Sequence, residues 1–142
     1  MHLKSIDQIG FKLLLFFIVL VLSGCKDPKV NFYDKSLHSK KLDCLSYKPK
    51  NSNEIDKYLE TLYKFDTNCP SRLELSYKSD IVCNSSFNAA DKTLSSFPTA
   101  YLKLEVFKGF NLQYSYYVDL NSKPSTSDIK EAFDRLKKDI LK

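Results

Sequence analysis

The sequence predicts an α+β domain with a mainly antiparallel sheet of about five short strands and two to three helices packed on one face. Three observations predict this fold class: an alternating apolar pattern over residues 101 to 120, an amphipathic helical pattern over residues 125 to 142, and a second helical pattern that starts at Glu54. The apolar sides of these patterns have to be buried together, so we expect the helices to cover one sheet face.

The stretch from residue 101 to 120 predicts a β-hairpin. One face carries Leu102, Leu104 and Val106 in the first strand and Phe110, Leu112, Tyr114, Tyr116 and Val118 in the second. Because a one-residue slip swaps the two faces of a strand, both sets point the same way only if paired residue numbers have an even sum. A three-residue loop of residues 107 to 109 meets this condition. It pairs Val106 with Phe110 and gives Gly109 the left-handed conformation that glycine adopts easily.

The last helix is predicted from its apolar spacing and its charged ends. Its apolar face consists of Ile129, Ala132, Phe133, Leu136 and Ile140. Ser125 and Asp128 have the spacing of a capping box, and lysines lie near the end, where the helix dipole favours them. The earlier helix is expected to run from Glu54 to about Asp66, with Asn51 and Glu54 as its cap pair.

Shorter patterns predict the remaining elements. Residues 41 to 47, 72 to 77 and 81 to 86 have the composition of strands, the last two around a turn at residues 78 to 80. Residues 88 to 97 are a short candidate helix that Pro98 ends. Residues 26 to 40 have no clear period, so we expect a tether there, at most about 50 Å long.

The N-terminal segment has the organisation of a secretory signal peptide. Residues 13 to 22 are ten apolar residues in a row, preceded by Lys4 and Lys12 and followed by small Ser23 and Gly24. A helix that crosses a bilayer needs about 20 apolar residues, so this run is short for a retained single-pass anchor. A buried first helix of the domain is the other alternative, but such a helix has a polar side and this run is apolar all round.

The four residues Leu22-Ser23-Gly24-Cys25 resemble the lipobox of bacterial lipoproteins, whose pattern is Leu, then Ala or Ser, then Gly or Ala, then an invariant Cys. All four positions match, and the resemblance covers the leader only. It implies cleavage after Gly24, a diacylglycerol on the Cys25 thiol and a fatty acid such as palmitate on its new amine. The residue after Cys25 is Lys26, whereas an Asp at this position would resemble an inner-membrane retention signal. This favours the outer membrane, facing the periplasm, with the inner membrane as the alternative.

These observations divide the chain into three segments. Residues 1 to 24 are a lipoprotein signal peptide that is removed, residues 25 to 40 are the lipidated cysteine and its tether, and residues 41 to 142 are a single globular α+β domain. A chain of this length supplies enough apolar side chains for one core.

The cysteines of an exported chain are expected to form disulfides, because the compartment beyond the inner membrane is oxidising. Besides Cys25, the mature chain has Cys44, Cys69 and Cys83, so we expect one intramolecular bond. In a hairpin of residues 72 to 77 and 81 to 86, Cys83 lies opposite about residue 75, too far from Cys69. Cys44 with Cys83 is therefore favoured, with Cys69 as the alternative partner. No Cys-x-x-Cys pair is present and His38 is the only mature histidine, so no metal site is expected.

The charge and glycine content exclude several function classes. The net charge is +5, but the lysines are scattered and only Arg72 and Arg135 supply guanidinium groups, so no nucleic acid is expected as a partner. The lysines are expected to form a solvated surface, and the alternative is that those near Cys25 lie close to anionic headgroups. Gly109 is the only glycine after residue 24, which excludes glycine-rich phosphate loops and the nucleophile turn of hydrolases. Because His38 falls in the tether, no catalytic pair is expected, and neither an enzyme nor a cofactor is indicated.

The remaining candidates are aromatic residues on the other face of the hairpin. Tyr101 and Tyr117 alternate there with charged side chains, and Phe107 lies at the tip. Aromatic side chains presented among polar ones are typical of a protein-binding surface. We therefore expect a small envelope lipoprotein that presents a non-enzymatic protein-binding or scaffolding domain to an envelope partner. The alternative is a periplasmic inhibitor or immunity lipoprotein that acts against a hydrolase or toxin.

Overall fold

The computed structural model describes residues 27–51, 53–81 and 98–142, and this part of the chain forms an α+β fold. Its five strands are β1 (Lys29–Phe32), β2 (Ser46–Tyr47), β3 (Ser71–Lys78), β4 (Ala100–Lys108) and β5 (Asn111–Leu120). Its helices are α1 (Glu54–Leu62) and α2 (Thr126–Ile140), and a short 3-10 helix spans Lys35–His38. The predicted fold class is confirmed. Neither helix of this described part is long and apolar enough to cross a bilayer.

The five strands form one mixed sheet in the order β1-β5-β4-β3-β2. Every neighbouring pair is antiparallel except β2 and β3, which run parallel. Of the expected strand at 41 to 47, only β2 is regular strand, and Leu42 forms an isolated bridge with Leu141. The expected strand at 81 to 86, apart from Ile81, and the expected helix at 88 to 97 lie outside the described residues.

The segment expected to be a tether is in large part folded into the domain. Residues of β1 pair with β5, with Val30 opposite Tyr116, and Leu37 of the 3-10 helix is buried in the core. The prediction of a tether through residue 40 was therefore wrong. Four residues are too few to show a clear alternation, and β1 is specified by a partner strand more than 80 residues later in the chain.

The hairpin of β4 and β5 has a different loop from the expected one. Its turn has two residues, Gly109 and Phe110, and Lys108 pairs with Asn111. A bulge follows, because Phe107 pairs with Leu112 whereas Val106 pairs with Tyr114. Beyond the bulge, paired numbers have an even sum, as predicted from the apolar faces. The predicted three-residue loop was wrong. A two-residue turn gives paired residue numbers an odd sum, and the bulge then adds the one-residue shift that makes the sum even.

Both helices follow their sequence patterns closely. The predicted capping box of α2 is present, and all five predicted positions on its apolar face are buried. In α1 the cap is Asn53 and not Asn51, since the Asn53 side chain accepts a hydrogen bond of 3.0 Å from the amide of Asp56. The helix ends at Leu62, four residues before the expected end at Asp66.

The core lies between the sheet and the two helices. Its largest fully buried side chains are Tyr114, Tyr116, Phe133, Leu45, Leu59, Leu73, Leu102, Leu104, Leu120, Ile129, Leu136 and Ile140. Apart from Leu45, which directly precedes β2, these come from β3, β4, β5, α1 and α2, so both described helices pack on the same side of the sheet. The opposite side, called the outer face below, carries the outward side chains of β1, β3, β4 and β5.

Candidate functional site

Two tyrosines pack against each other on the outer face of the sheet. Tyr101 of β4 and Tyr117 of β5 are diagonal neighbours, because Tyr101 pairs with Asp119 and Lys103 pairs with Tyr117. Their rings stack with centroids 5.7 Å apart and planes 24° apart. Both side chains are half-exposed, so one side of the stack faces solvent. The two predicted site residues are thus brought together by strand register.

Neighbouring charges hold this pair, called the tyrosine pair below, in place. The Tyr117 hydroxyl donates a 2.7 Å hydrogen bond to the carboxylate of Asp119. That bond and partial burial raise the pKa of Tyr117 to about 12, because a tyrosinate next to Asp119 would be repelled. The ammonium group of Lys29 lies 5.9 Å from the centre of the Tyr117 ring, within cation–π range. At neutral pH the Tyr117 hydroxyl therefore stays protonated and bonded to Asp119, and Lys29 places a positive charge over the ring.

Phe107 belongs to a second cluster and does not lie at the hairpin tip. The guanidinium of Arg72 lies 5.5 Å from the centre of the Phe107 ring and pairs with Glu74 at 2.9 Å. Phe107 lies six positions after Tyr101 in β4, or about 20 Å away at the rise of a strand. An ion pair of Lys103 with the carboxylate of Glu105 lies between the two clusters. The predicted surface is one face with two aromatic clusters.

Two aromatic residues that the sequence analysis missed are the exposed large apolar side chains of the described residues. Phe110 is fully exposed at the turn, and Tyr33 is 57% exposed directly after β1. The alternation of β5 had assigned Phe110 to the core, because the bulge was not visible in the sequence. Tyr33 lies in the segment taken for a tether. The glycine before it, Gly109, was the sequence signal that Phe110 could be a turn residue. In the structure Gly109 has a φ of +59°.

The disulfide of the described residues joins Cys44 to Cys69, with an S–S distance of 2.06 Å. One intramolecular bond was predicted and is present, but the favoured pairing of Cys44 with Cys83 was wrong and the alternative partner Cys69 is used. The reason is the parallel pairing of Ser46 with Arg72, which places the residues before β2 next to the residues before β3. Cys83 and the predicted lipidation site Cys25 lie outside the described residues.

On the helix side, the buried carboxylate of Asp56 is bonded through one oxygen, and its other oxygen, Oδ2, has no hydrogen-bond partner among the described residues. Tyr47 donates a 2.6 Å hydrogen bond to Asp56, which is buried in the first turn of α1, where the helix dipole stabilises a carboxylate. Burial and this bond raise the pKa of the Tyr47 hydroxyl. His38 is exposed and stacks on Phe32 with ring centres 4.1 Å apart. Over the described ranges, no three side chains of His, Cys, Asp or Glu are grouped to hold a metal ion.

The fold and this surface define a class of protein only in structural terms: a small α+β domain whose sheet is covered by helices on one face and carries aromatic clusters on the other. Comparison with known proteins does not narrow the class further. No protein-family model matches the chain, no curated protein matches it, and no solved structure matches it.

Proposed function

We propose that the chain is a small envelope lipoprotein that binds another protein through the outer face of its sheet, with Cys25 as its lipid anchor. Its role is non-enzymatic, and it resides in the outer membrane facing the periplasm, with the inner membrane as the alternative. The observation that carries the proposal is the half-exposed stack of Tyr101 on Tyr117, on the sheet face opposite both described helices.

The composition of the outer face supports protein binding. Tyrosine and arginine are enriched among the residues that dominate binding energy at interfaces, and both aromatic clusters contain one or the other. Stacking and the hydrogen bond to Asp119 already fix the tyrosine rings, so little side-chain entropy remains to be lost when a partner binds. The Lys103 and Glu105 pair between the clusters supplies polar contacts of the kind found at an interface rim.

The position of β1 supports a partner close to the membrane. Cys25 precedes Lys29 by four residues, a span of at most about 14 Å of extended chain. Lys29 pairs with Tyr117, so the lipid attached to Cys25 would lie near the end of the sheet that carries the tyrosine pair. A domain held this closely can reach proteins in or on the same membrane. This geometry favours a membrane-attached partner over a freely diffusing one.

Capture of the partner from intact cells tests the proposal. The full chain with an affinity tag is crosslinked in the envelope, purified and analysed by mass spectrometry. Replacing Tyr117 with Ala removes the exposed ring and should reduce specific capture by about tenfold, the effect of a moderate interface residue. Replacing Tyr117 with Phe keeps the stack and should retain most of the captured partner.

Phe110→Ala is the matched control, because it also removes an exposed aromatic ring but at the turn and away from the outer face. Loss of capture in Phe110→Ala with full capture in Tyr117→Ala would move the partner surface to the turn and refute the proposed face. Recovery of a hydrolase or toxin as the partner would assign the inhibitor or immunity role. Unchanged capture in both variants would exclude both surfaces.

A further inference from the structure

One side of β1, called the open edge below, pairs with no strand of the described residues, because β1 is the last strand in the sheet order. The amide of Tyr33 donates a 2.9 Å hydrogen bond to the carbonyl of Gln113, which continues the register between β1 and β5. Bonded residues alternate along an antiparallel pair, so Asn31 also bonds to β5. The amides and carbonyls of Val30 and Phe32 therefore point to the open edge.

The side chains along the open edge are accessible to another molecule. Lys29 and Asn31 are exposed, and Val30 is only partly buried at the margin of the core. Tyr33, directly after the strand, is 57% exposed. A strand edge with free N–H and C=O groups, next to an exposed aromatic ring, is suited to the addition of another strand.

We propose that a second copy of this chain adds its own β1 to the open edge in antiparallel orientation, so that two sheets become one. Val30 of each copy pairs with Phe32 of the other, and Asn31 faces its own counterpart on the two-fold axis. The two reciprocal pairs form about four main-chain hydrogen bonds. Such a two-fold contact uses the same strand in both copies and closes at a dimer.

The available backbone groups select this register. Sliding the strands by two residues in one direction pairs Phe32 with Pro28, which has no amide hydrogen. Sliding them in the other direction pairs Val30 with Asp34, whose amide already donates a 3.1 Å hydrogen bond to the carbonyl of Gln113. The proposed register is the one that uses both edge-facing residues of each copy.

The outward side chains of β1 are complementary to those of a second β1. Lys29 lies on the outer face, over the ring of Tyr117, and Tyr33 points the same way because every second side chain of a strand shares a face. In the proposed register Lys29 of each copy lies opposite Tyr33 of the other, where an ammonium group is attracted to an aromatic ring. On the helix side Phe32 already stacks on His38, so the second copy meets mainly its backbone there. This order of lysine and tyrosine favours a second copy over an unrelated strand.

The contact is small, because it consists of one short strand from each copy. Such a dimer is weak in dilute solution, and attachment of both copies to one membrane raises their effective concentration. That increase rests on the proposed anchor at Cys25, whereas the pairing itself does not. Directly opposite residues of paired strands lie on one face, so the joined sheet would present both tyrosine pairs on the same side.

Engineered cysteines in the full chain test the register in intact cells. All variants also carry Cys83→Ser, so that Cys83 cannot compete for the introduced thiol. Asn31→Cys places two thiols on the two-fold axis, where the Cα atoms are about 4.5 Å apart, and mild oxidation should give a covalent dimer on a non-reducing gel. Lys29→Cys is the matched control on the same strand and face. Its two thiols would lie about 13 Å apart, so it should give at least about tenfold less dimer, and adding Tyr33→Cys should restore the dimer.

Val30→Pro removes the amide hydrogen at the open edge without removing a bond to β5, and proline is tolerated in an edge strand at such a position. Added to Asn31→Cys, it should reduce the covalent dimer by about tenfold, and urea unfolding verifies that the fold is retained. Equal dimer from Lys29→Cys and Asn31→Cys would overturn the register. Absence of dimer in Asn31→Cys, or no effect of Val30→Pro, would overturn the inference. Crosslinking of Asn31→Cys to another envelope protein in place of the dimer would also overturn it. None of these results depends on partner capture by Tyr117, so failure of either proposal is recognised separately.

Discussion

Neighbouring tyrosines of β5 have opposite environments because successive side chains of a strand point to opposite faces. Tyr116 points inward and is 2% exposed, whereas Tyr117 points outward and stacks on Tyr101. Tyr114, also inward, donates a 2.9 Å hydrogen bond to Asp139 of α2, which ties the helix to the sheet. The same residue type therefore serves the core, a helix contact and the candidate surface within four positions.

The buried side chain of Tyr116 predicts a loss of stability at alkaline pH. Burial, with the nearby charge of Glu131, raises its pKa from 10.0 to about 12 in the folded protein. Because the folded pKa is the higher one, this contribution to stability is complete below pH 10. It is lost between pH 10 and pH 12, as the unfolded chain ionises first. Tyr116→Phe keeps the ring but cannot ionise.

Urea unfolding of Tyr116→Phe and the wild type at a series of pH values measures this effect. The difference between their free energies of unfolding should be constant up to pH 9. Above pH 10 it should change in favour of the variant by up to about 2 kcal/mol. Parallel curves through pH 12 would contradict the assignment. Comparison of the two proteins cancels the titration of the lysines, which both share.

At the scale of elements, the turn of the β4 and β5 hairpin depends on Gly109. Its φ of +59° is rarely adopted by residues with a side chain, although a Cβ at this position would meet no atom within 4 Å. Gly109→Ala should therefore destabilise the protein by about 1 kcal/mol through backbone conformation alone. Urea unfolding measures the change.

Gly109→Asn is the control for this prediction, since asparagine tolerates the left-handed conformation better than alanine. It should destabilise by less than Gly109→Ala. Equal losses would indicate that the glycine matters for a reason other than its backbone angle. The left-handed glycine was predicted from sequence, but its partner in the turn was not.

How far each element could be predicted depended on how local its determinants are. The cap of α2 at Ser125 and its apolar face were predictable because residues within the helix decide them. The strand face of β4 was predictable because alternation is a local property. The bulge opposite Val106 and Phe107 was not predictable, because residues far away in the chain help to fix it. The amides of Tyr33 and Asp34, directly after β1, both donate hydrogen bonds to the carbonyl of Gln113.

At the scale of the whole molecule, the proposed anchor at Cys25 predicts how the protein partitions. Two or three acyl chains on Cys25 should hold the protein on the membrane essentially permanently, because each buried methylene adds about 0.8 kcal/mol. Cys25→Ser should abolish incorporation of labelled palmitate and leave an uncut precursor. Palmitate labelling and the electrophoretic mobility of the product measure both.

A fusion of residues 26 to 142 to an ordinary cleavable signal is the complementary measurement. Without the lipid it should be recovered in the soluble periplasmic fraction, because surface lysines add only a salt-sensitive contribution to membrane binding. Sedimentation of this fusion with membranes after a high-salt wash would show a second anchor and contradict the prediction.

The candidate surface was predictable in part for the same reasons as the fold. Alternation placed Tyr101 and Tyr117 on one face, and their stacking follows from strand register. The open edge of β1 was not predictable, because β1 lies in the segment taken for a tether. Phe110 was assigned to the core because the sequence pattern does not reveal the bulge, which changes the face to which the first residues of the second strand belong.

The sequence by itself determined the α+β class, the faces of β4 and α2, the cap of α2 and the glycine of the turn. These features depend on periodicity and on residues close together in the chain. The tertiary structure alone decided that β1 belongs to the sheet, that Cys44 bonds to Cys69, and that a bulge exposes Phe110. Each of these depends on strands paired across long stretches of chain. Such pairing is selected by the free energy of the assembled sheet and core, which no single segment of the sequence records.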